Sequence, residues 1–398
     1  MFILNFYIKY IISKYDKIYE TFTNKRHVVI MNLYLHIGTM KTGTSTIQDF
    51  LFFNRELLIK NDFLYPISIK NEGILNDHNV IVDIIENNQI CKIKAFKKEL
   101  SKFKCSNVII SAENIQWKFN TIRHVKKMKD FFENIGFQNI YILIYLREPS
   151  ELYLSMSSQA IKDNHYADFM FLEPWNNKKA LDLCNYKKTI LRYEKIFSKD
   201  KLIVRLFSKN DFINNSLIED FTNSLKLKWN KEFKIPENSN GSLNILGIEL
   251  VKAINQSNAW VDDYQMRYED ILLFVDKYFS KSTTDVLKFF PPKEIMFLYQ
   301  SYFKQSNEYV RKLFFPHKKI LFLPKDNQNY NENYKLYNIN KEEIENILRF
   351  IAEILNYKNH QIANYKKIMR KREFRVANFI FNFRLKIKKA IKYLNSTL

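Results

Sequence analysis

Residues Leu33 to Gln48, LYLHIGTMKTGTSTIQ, constrain the fold more than any other stretch. A short apolar run breaks into a loop holding two glycines and then into an amphipathic helical pattern. Strand, loop and helix in that order build an anion site, because the loop N–H groups and the positive end of the helix dipole converge on one spot. A phosphate or a sulfate is the natural occupant.

The loop departs from a triphosphate-binding Walker sequence, which needs Gly, four residues, then Gly-Lys-Ser/Thr. Gly38 and Gly43 keep the separation, but Thr44 follows the second glycine and the lysine, Lys41, lies inside the loop. The cradle is there without the usual ATP arrangement.

The rest of the chain sets that loop in an α/β context. Strand-like runs fall at Leu33 to Ile37, Asn107 to Ser111, Ile140 to Leu146 and Leu202 to Leu206, with a weaker one at Phe63 to Tyr65. Helical patterns separate them, at Thr44 to Lys60, Asn79 to Lys102, Ile122 to Ile135, Ser150 to Ile161 and Lys178 to Phe197. Short apolar strands alternating with helices predict a parallel sheet covered on both faces, with its ligand at the carboxyl ends of the strands. The loops that begin at Gly38, Ala112 and Arg147 should therefore share one crevice. Beyond residue 210 the pattern turns helical, at Asn215 to Leu225, Leu243 to Asn255, Lys293 to Leu313 and Lys341 to Leu355, with a polar loop at Lys325 to Asn340.

The 398 residues, 46% hydrophobic, exclude general disorder and suffice for a large core. A net charge of +21 favours an anionic partner without choosing among nucleotides, acidic glycans, lipid headgroups and nucleic acid, and a compositional Lys/Asn bias accounts for part of it. Three cysteines, Cys91, Cys105 and Cys184, have no metal or redox spacing, which points to a reducing compartment. The first thirty residues read as an amphipathic extension with neither a cleavable signal nor a spanning segment, and Met31 is a natural alternative start. From Tyr365 to the end, eleven Lys or Arg face one acid, Glu373, and interleave with Phe374, Phe379, Ile380, Phe381, Phe383, Leu385 and Ile387. Such a helix either caps the domain in solvent or lies on an anionic membrane. The chain thus divides into an extension at 1–30, a catalytic domain at 31–356 and a basic tail at 357–398.

A second stretch, NIYILIYLREPSELYLSMSSQAIK, ends a buried strand at Arg147 and opens a helix at Pro149, with Ser155 two turns on. A guanidinium at a strand end is a fork for phosphate, and a serine hydroxyl can add a bond to the same group. TMKTGTST resembles the 5′-phosphosulfate loop of sulfotransferases that use 3′-phosphoadenosine 5′-phosphosulfate (PAPS), and LREPSELYLS resembles their 3′-phosphate segment. SAEN, LIVRLFSKNDF and SNEYVRKLFF read like the bacterial branch that modifies glycans and other cell-surface acceptors, and the likeness covers about residues 31 to 320.

The resemblance implies a P-loop NTPase-like three-layer α/β domain with a central parallel sheet and a helical C-terminal part. It implies a donor, PAPS, held by Gly38, Lys41, Thr42, Gly43, Thr44, Ser45, Arg147 and Ser155, with Lys41 stabilising the departing bridging oxygen. Protein groups take the place of a metal, so none is required. The acceptor is a hydroxyl or amine of a glycan or lipid-linked glycan. Glu113, at the end of the strand before Arg147, is the leading general base and His78 the second candidate, while His36 belongs to the core. The chain departs from the eukaryotic cytosolic pattern in having no RKG-type glycine motif, leaving Arg205 and the Asn240-Gly241-Ser242 turn as replacements for those contacts. Trp117, Tyr153, Trp175 and Trp260 are aromatic candidates for stacking on a sugar or adenine, Trp117 first among them.

Two other readings compete: a P-loop kinase or other phosphotransferase, and a non-enzymatic binder of membranes or nucleic acid. The displaced lysine and the lack of a strand-end Asp for Mg²⁺ weigh against the first, and the intact loop with its Arg/Ser pair against the second. A cytoplasmic enzyme, peripheral at the inner membrane face and without a nucleic-acid partner, is the expectation.

Overall fold

A computed structural model describes residues 30–71, 73, 76–162, 172–236, 243–256, 268–280, 288–323, 330–334, 341–370 and 372–395. The N-terminal extension, Trp260 and the Asn240-Gly241-Ser242 turn lie outside them. Five strands, β1 (Asn32–His36), β2 (Phe63–Leu64), β3 (Asn107–Ser111), β4 (Asn139–Leu146) and β5 (Leu202–Leu206), form one sheet in the order β2-β3-β1-β4-β5. Every pairing is parallel, as the alternation of apolar runs and helices predicts.

Side chains of a strand point alternately to opposite faces, and both faces here are apolar. Leu33, Leu35, Val108, Ile110, Ile140, Ile142 and Ile144 look one way. They bury helices α3 (Ile81–Asn87), α4 (Ile90–Phe103), α6 (Ile122–Ile135) and α9 (Tyr186–Phe197). Ile109, Leu143 and Tyr145 look the other way, onto α1 (Thr44–Phe53), α2 (Arg55–Lys60) and α10 (Leu217–Ser224). The result is an α/β domain of three layers. Short helices α5 (Asn114–Lys118) and α8 (Lys178–Cys184), and the longer α7 (Pro149–Lys162), complete this part of the chain.

Several long helical patterns are broken at asparagine, whose side chain competes for backbone partners. Asn54 separates α1 from α2 and donates its amide to the Phe50 carbonyl at 2.8 Å. Asn88, in a left-handed conformation at φ 47, separates α3 from α4. Asn185 ends α8 and caps α9 by accepting the Lys188 N–H at 3.1 Å.

The described chain divides into two compact units, 1–156 with 172–238 and 294–328, and 157–171 with 239–293 and 329–398. The first holds the sheet, together with α13 (Lys293–Tyr302) and α14 (Lys304–Phe314). The second is helical, with α11 (Ile245–Gln256), α12 (Tyr268–Phe279), α15 (Lys341–Met369) and α16 (Arg372–Asn395). There α12 lies on α15, where Phe279 meets Phe350 at 5.4 Å between ring centroids and Lys277 pairs with Glu353 at 2.6 Å. The expected boundary at residue 357 falls inside α15.

Candidate functional site

The order of the sheet places β1 between β3 and β4, and the chain leaves β1 for one side and later returns to the other. That is a topological switch point, where parallel sheets bind ligands. The loop after β1 rises into this gap and is stitched to the end of β4. Thr39 N–H donates to the Tyr145 carbonyl at 3.1 Å, and Tyr145 N–H donates to the Gly38 carbonyl at 2.8 Å.

The loop's shape depends on its glycines. Gly43 sits at φ 71 as the N-cap of α1, and a Cβ there would stand 2.4 Å from Leu217 Cδ2 and 3.2 Å from Phe207 Cε2. Only glycine meets both conditions. Gly38, at φ 107, has Glu113 Cβ 3.3 Å from where its own would be. No side chain caps the start of α1, so the first-turn N–H groups at Thr44 and Ser45 keep the donor capacity every helix start has. Thr44 is buried and Ser45 exposed. Thr42 is fully buried and donates its hydroxyl to the Thr39 carbonyl at 2.5 Å, so its side chain staples the loop.

Arg147 joins the loop from the β4 side. Its Nη1 donates to the Lys41 carbonyl at 2.8 Å, its Nε lies 3.6 Å from Glu151, and its guanidinium stands 5.4 Å from the centre of the Phe207 ring. A carbonyl oxygen inside an anion cradle repels the anion, and a guanidinium bonded to it offsets that. Lys41 itself is half-buried at φ 65. Beside Arg147, the half-buried Glu148 accepts the Glu151 N–H at 2.9 Å and so caps α7, a role not evident in the LREP sequence. Burial raises the Glu148 carboxyl above its ordinary range. Ser155 is half-buried on α7, about 9 Å along the axis from Pro149 at 1.5 Å per residue.

Glu113 faces the loop from the β3 side. Oε2 accepts the Gln48 amide at 2.7 Å and Oε1 accepts the Asn79 amide at 3.1 Å. Asn79 in turn is held by its N–H on Asp77 at 2.8 Å and by accepting the Asn114 N–H at 3.0 Å. Two amides fix the plane of the carboxylate and leave each oxygen a further lone pair. Sequence reasoning did not single out Gln48 or Asn79. Gln48 lies one helical turn beyond Thr44 on α1, which is a readable signal, whereas Asn79 meets Glu113 only through the fold.

His78 has a different environment from Glu113. It is fully buried against Tyr65, with ring centroids 4.2 Å apart. Nε2 donates to the Pro66 carbonyl at 2.7 Å, and Nδ1 accepts the Ser111 N–H at 3.2 Å. Burial pushes its pKa down to about 4. Both nitrogens are thus engaged inside the fold, and the ring is neutral. His36 is also buried, bonded to Ser111 Oγ at 2.8 Å, with burial lowering its pKa to about 3, in keeping with the core position expected for it.

Arg205, expected as a replacement phosphate ligand, pairs instead with Asp220. The carboxylate of Asp220 is fully buried and takes both the Arg205 guanidinium and the Tyr145 hydroxyl, the latter at 2.7 Å. An arginine so engaged fastens β5 to α10. Among the aromatic candidates, Tyr153 is buried and stacks on Tyr299 with centroids 3.9 Å apart. Trp175 is half-exposed beside Tyr302. Trp117 donates its indole N–H to Asn114 at 3.1 Å, with the Lys179 ammonium 5.4 Å from its ring centre.

No family model matches the chain, and no curated protein does. Among solved structures, the crystal structure of a sulfotransferase from Alicyclobacillus acidocaldarius is similar to it at 16% identity, over 57% of this chain and 92% of that one, with a TM-score of 0.32. A likeness of that size says nothing about chemistry, which is read instead from the residues around β1.

Proposed function

We propose that this chain is a sulfotransferase that moves a sulfuryl group from PAPS to a hydroxyl, or an amine, of a glycan or lipid-linked glycan. The observation that carries the reading is the convergence of three strand ends on one loop. Arg147 is bonded to the backbone of Lys41, Glu113 packs against Gly38, and the uncapped start of α1 opens at Gly43. The resemblance of the TMKTGTST and LREPSELYLS segments to the PAPS-binding segments of that family supports the same assignment.

On this reading the loop amides with Thr44 and Ser45 hold the 5′-phosphate, and Arg147 with Ser155 holds the 3′-phosphate. The acceptor oxygen bonds to sulfur as the bond from sulfur to the bridging phosphate oxygen breaks, and adenosine 3′,5′-bisphosphate leaves. Negative charge grows on that bridging oxygen, and the Lys41 ammonium offsets it. The acceptor's proton goes to Glu113, whose two amide partners hold it in one orientation. We prefer Glu113 to His78 as base because both ring nitrogens of His78 are engaged in the interior.

The test is binding of adenosine 3′,5′-bisphosphate by calorimetry without metal, followed by labelled PAPS offered to a panel of glycans and glycolipids. Binding and transfer of label are expected. Binding of ATP only with Mg²⁺, and none of the bisphosphate, would overturn the reading in favour of a phosphotransferase.

A further inference from the structure

The surface of the C-terminal helix α16 has a chemistry of its own. Every residue from 376 to 389 is exposed. Val376, Phe379, Ile380, Phe383 and Ile387 have between 44 and 72% of their surface open to water. At 3.6 residues per turn these five fall within an arc of about 100°. Phe379 and Phe383, one turn apart, have near-parallel rings with centroids 6.3 Å apart. Arg384 and Lys386 border the arc on its two sides, and Lys388 and Lys389 lie on the far face with Phe381 and Leu385.

Charge selects the occupant of that arc. Residues 365 to 398, under a tenth of the chain, carry eleven Lys or Arg and the single acid Glu373, and so supply nearly half of the net charge of +21. A second copy of the helix would bring two cationic borders together, whereas paired helices place opposite charges there. A nucleic acid would neutralise the lysines and leave five large apolar side chains in water. An anionic bilayer satisfies both features, since phosphate headgroups meet the border cations while the apolar arc enters the acyl boundary. No helix of the described residues is long and apolar enough to cross a membrane.

We infer that α16 lies in the plane of an anionic lipid surface with Val376, Phe379, Ile380, Phe383 and Ile387 facing the lipid. The inference is independent of the assigned reaction. Its test is co-sedimentation of the full chain with vesicles of phosphatidylcholine alone or with about one third phosphatidylglycerol. Binding to the anionic vesicles should be at least about tenfold tighter and should weaken in about 0.5 M salt. The double variant Phe379→Ser/Phe383→Ser should lose about tenfold or more, whereas Phe381→Ser, on the far face, should stay within about twofold of the parent. All three proteins keep the same charge, and far-UV circular dichroism with a thermal melt checks that each is folded. Equal binding to both vesicle types, or equal loss from Phe381→Ser and the double variant, would overturn the inference. So would a concentration-dependent dimer in analytical ultracentrifugation without vesicle binding.

Discussion

The crevice beside β1 and the helix α16 both gather positive charge, but they treat it in opposite ways. Around the crevice the arginines have fixed neighbours: Arg147 holds the Lys41 carbonyl, and Arg205, on β5, is bound to the buried Asp220. On α16 the cations stand in water beside exposed aromatic rings, with no residue from 376 to 389 buried. Held charge can act on one atom of one ligand, because its direction does not have to be found again at each encounter. Loose charge can only sense a surface, and it does so through number and sign.

The largest way to break this contrast is Lys41→Ala. Turnover with PAPS should fall about 10² to 10³-fold, the scale of losing one preorganised electrostatic group, while vesicle binding stays unchanged. Turnover close to the parent's would remove Lys41 from the leaving-group role. Stability should separate the two regions next. Asp220→Ala strands Arg205, the Tyr145 hydroxyl and the Ile213 N–H, and should cost about 3 kcal/mol in urea unfolding. Lys388→Ala on α16 should stay within about 0.5 kcal/mol, and equal losses for the two would erase the distinction.

Acid should act through the interior of the sheet domain. The His78 ring stays neutral in the fold down to about pH 4, while in the unfolded chain it protonates near 6.5. Between those values the unfolded state binds the extra proton. The contribution is therefore complete above pH 6.5 and lost as pH falls toward 4, to the extent of about 3 kcal/mol. His36 works in the same direction. Thermal melts from pH 7 to 4.5 should show a steeper decline for the parent than for His78→Gln, and coincident slopes would refute the assignment. The smallest effect at the crevice is Arg147→Ala. It should weaken donor affinity by about 1.5 to 3 kcal/mol with turnover at saturation changed less, because a charge-assisted contact is made in ground and transition states alike. Unchanged affinity would make Arg147 a brace for the loop alone.

What could be read from the sequence was what neighbouring residues decide among themselves. Two glycines five apart, a lysine between them and a helix start without a cap are local facts, and they define the cradle wherever the strand is placed. The strands themselves were equally legible, since runs such as Val108 to Ile110 and Ile142 to Ile144 put apolar side chains on both faces, and so was the single-sign charge of the tail. Tertiary structure alone decided the partners. Glu113 and His78 are near in the fold and, by residue type, comparable as bases. Only the order of strands sets Glu113 between Gln48 and Asn79 beside Gly38, and buries His78 between Pro66 and Ser111. Likewise nothing local to Arg205 announces Asp220, and nothing local to Gly43 announces Leu217. Periodicity and spacing report which face of an element is buried. What buries it is settled by how five strands order themselves so that both faces of the sheet are covered, a balance of contacts between distant residues.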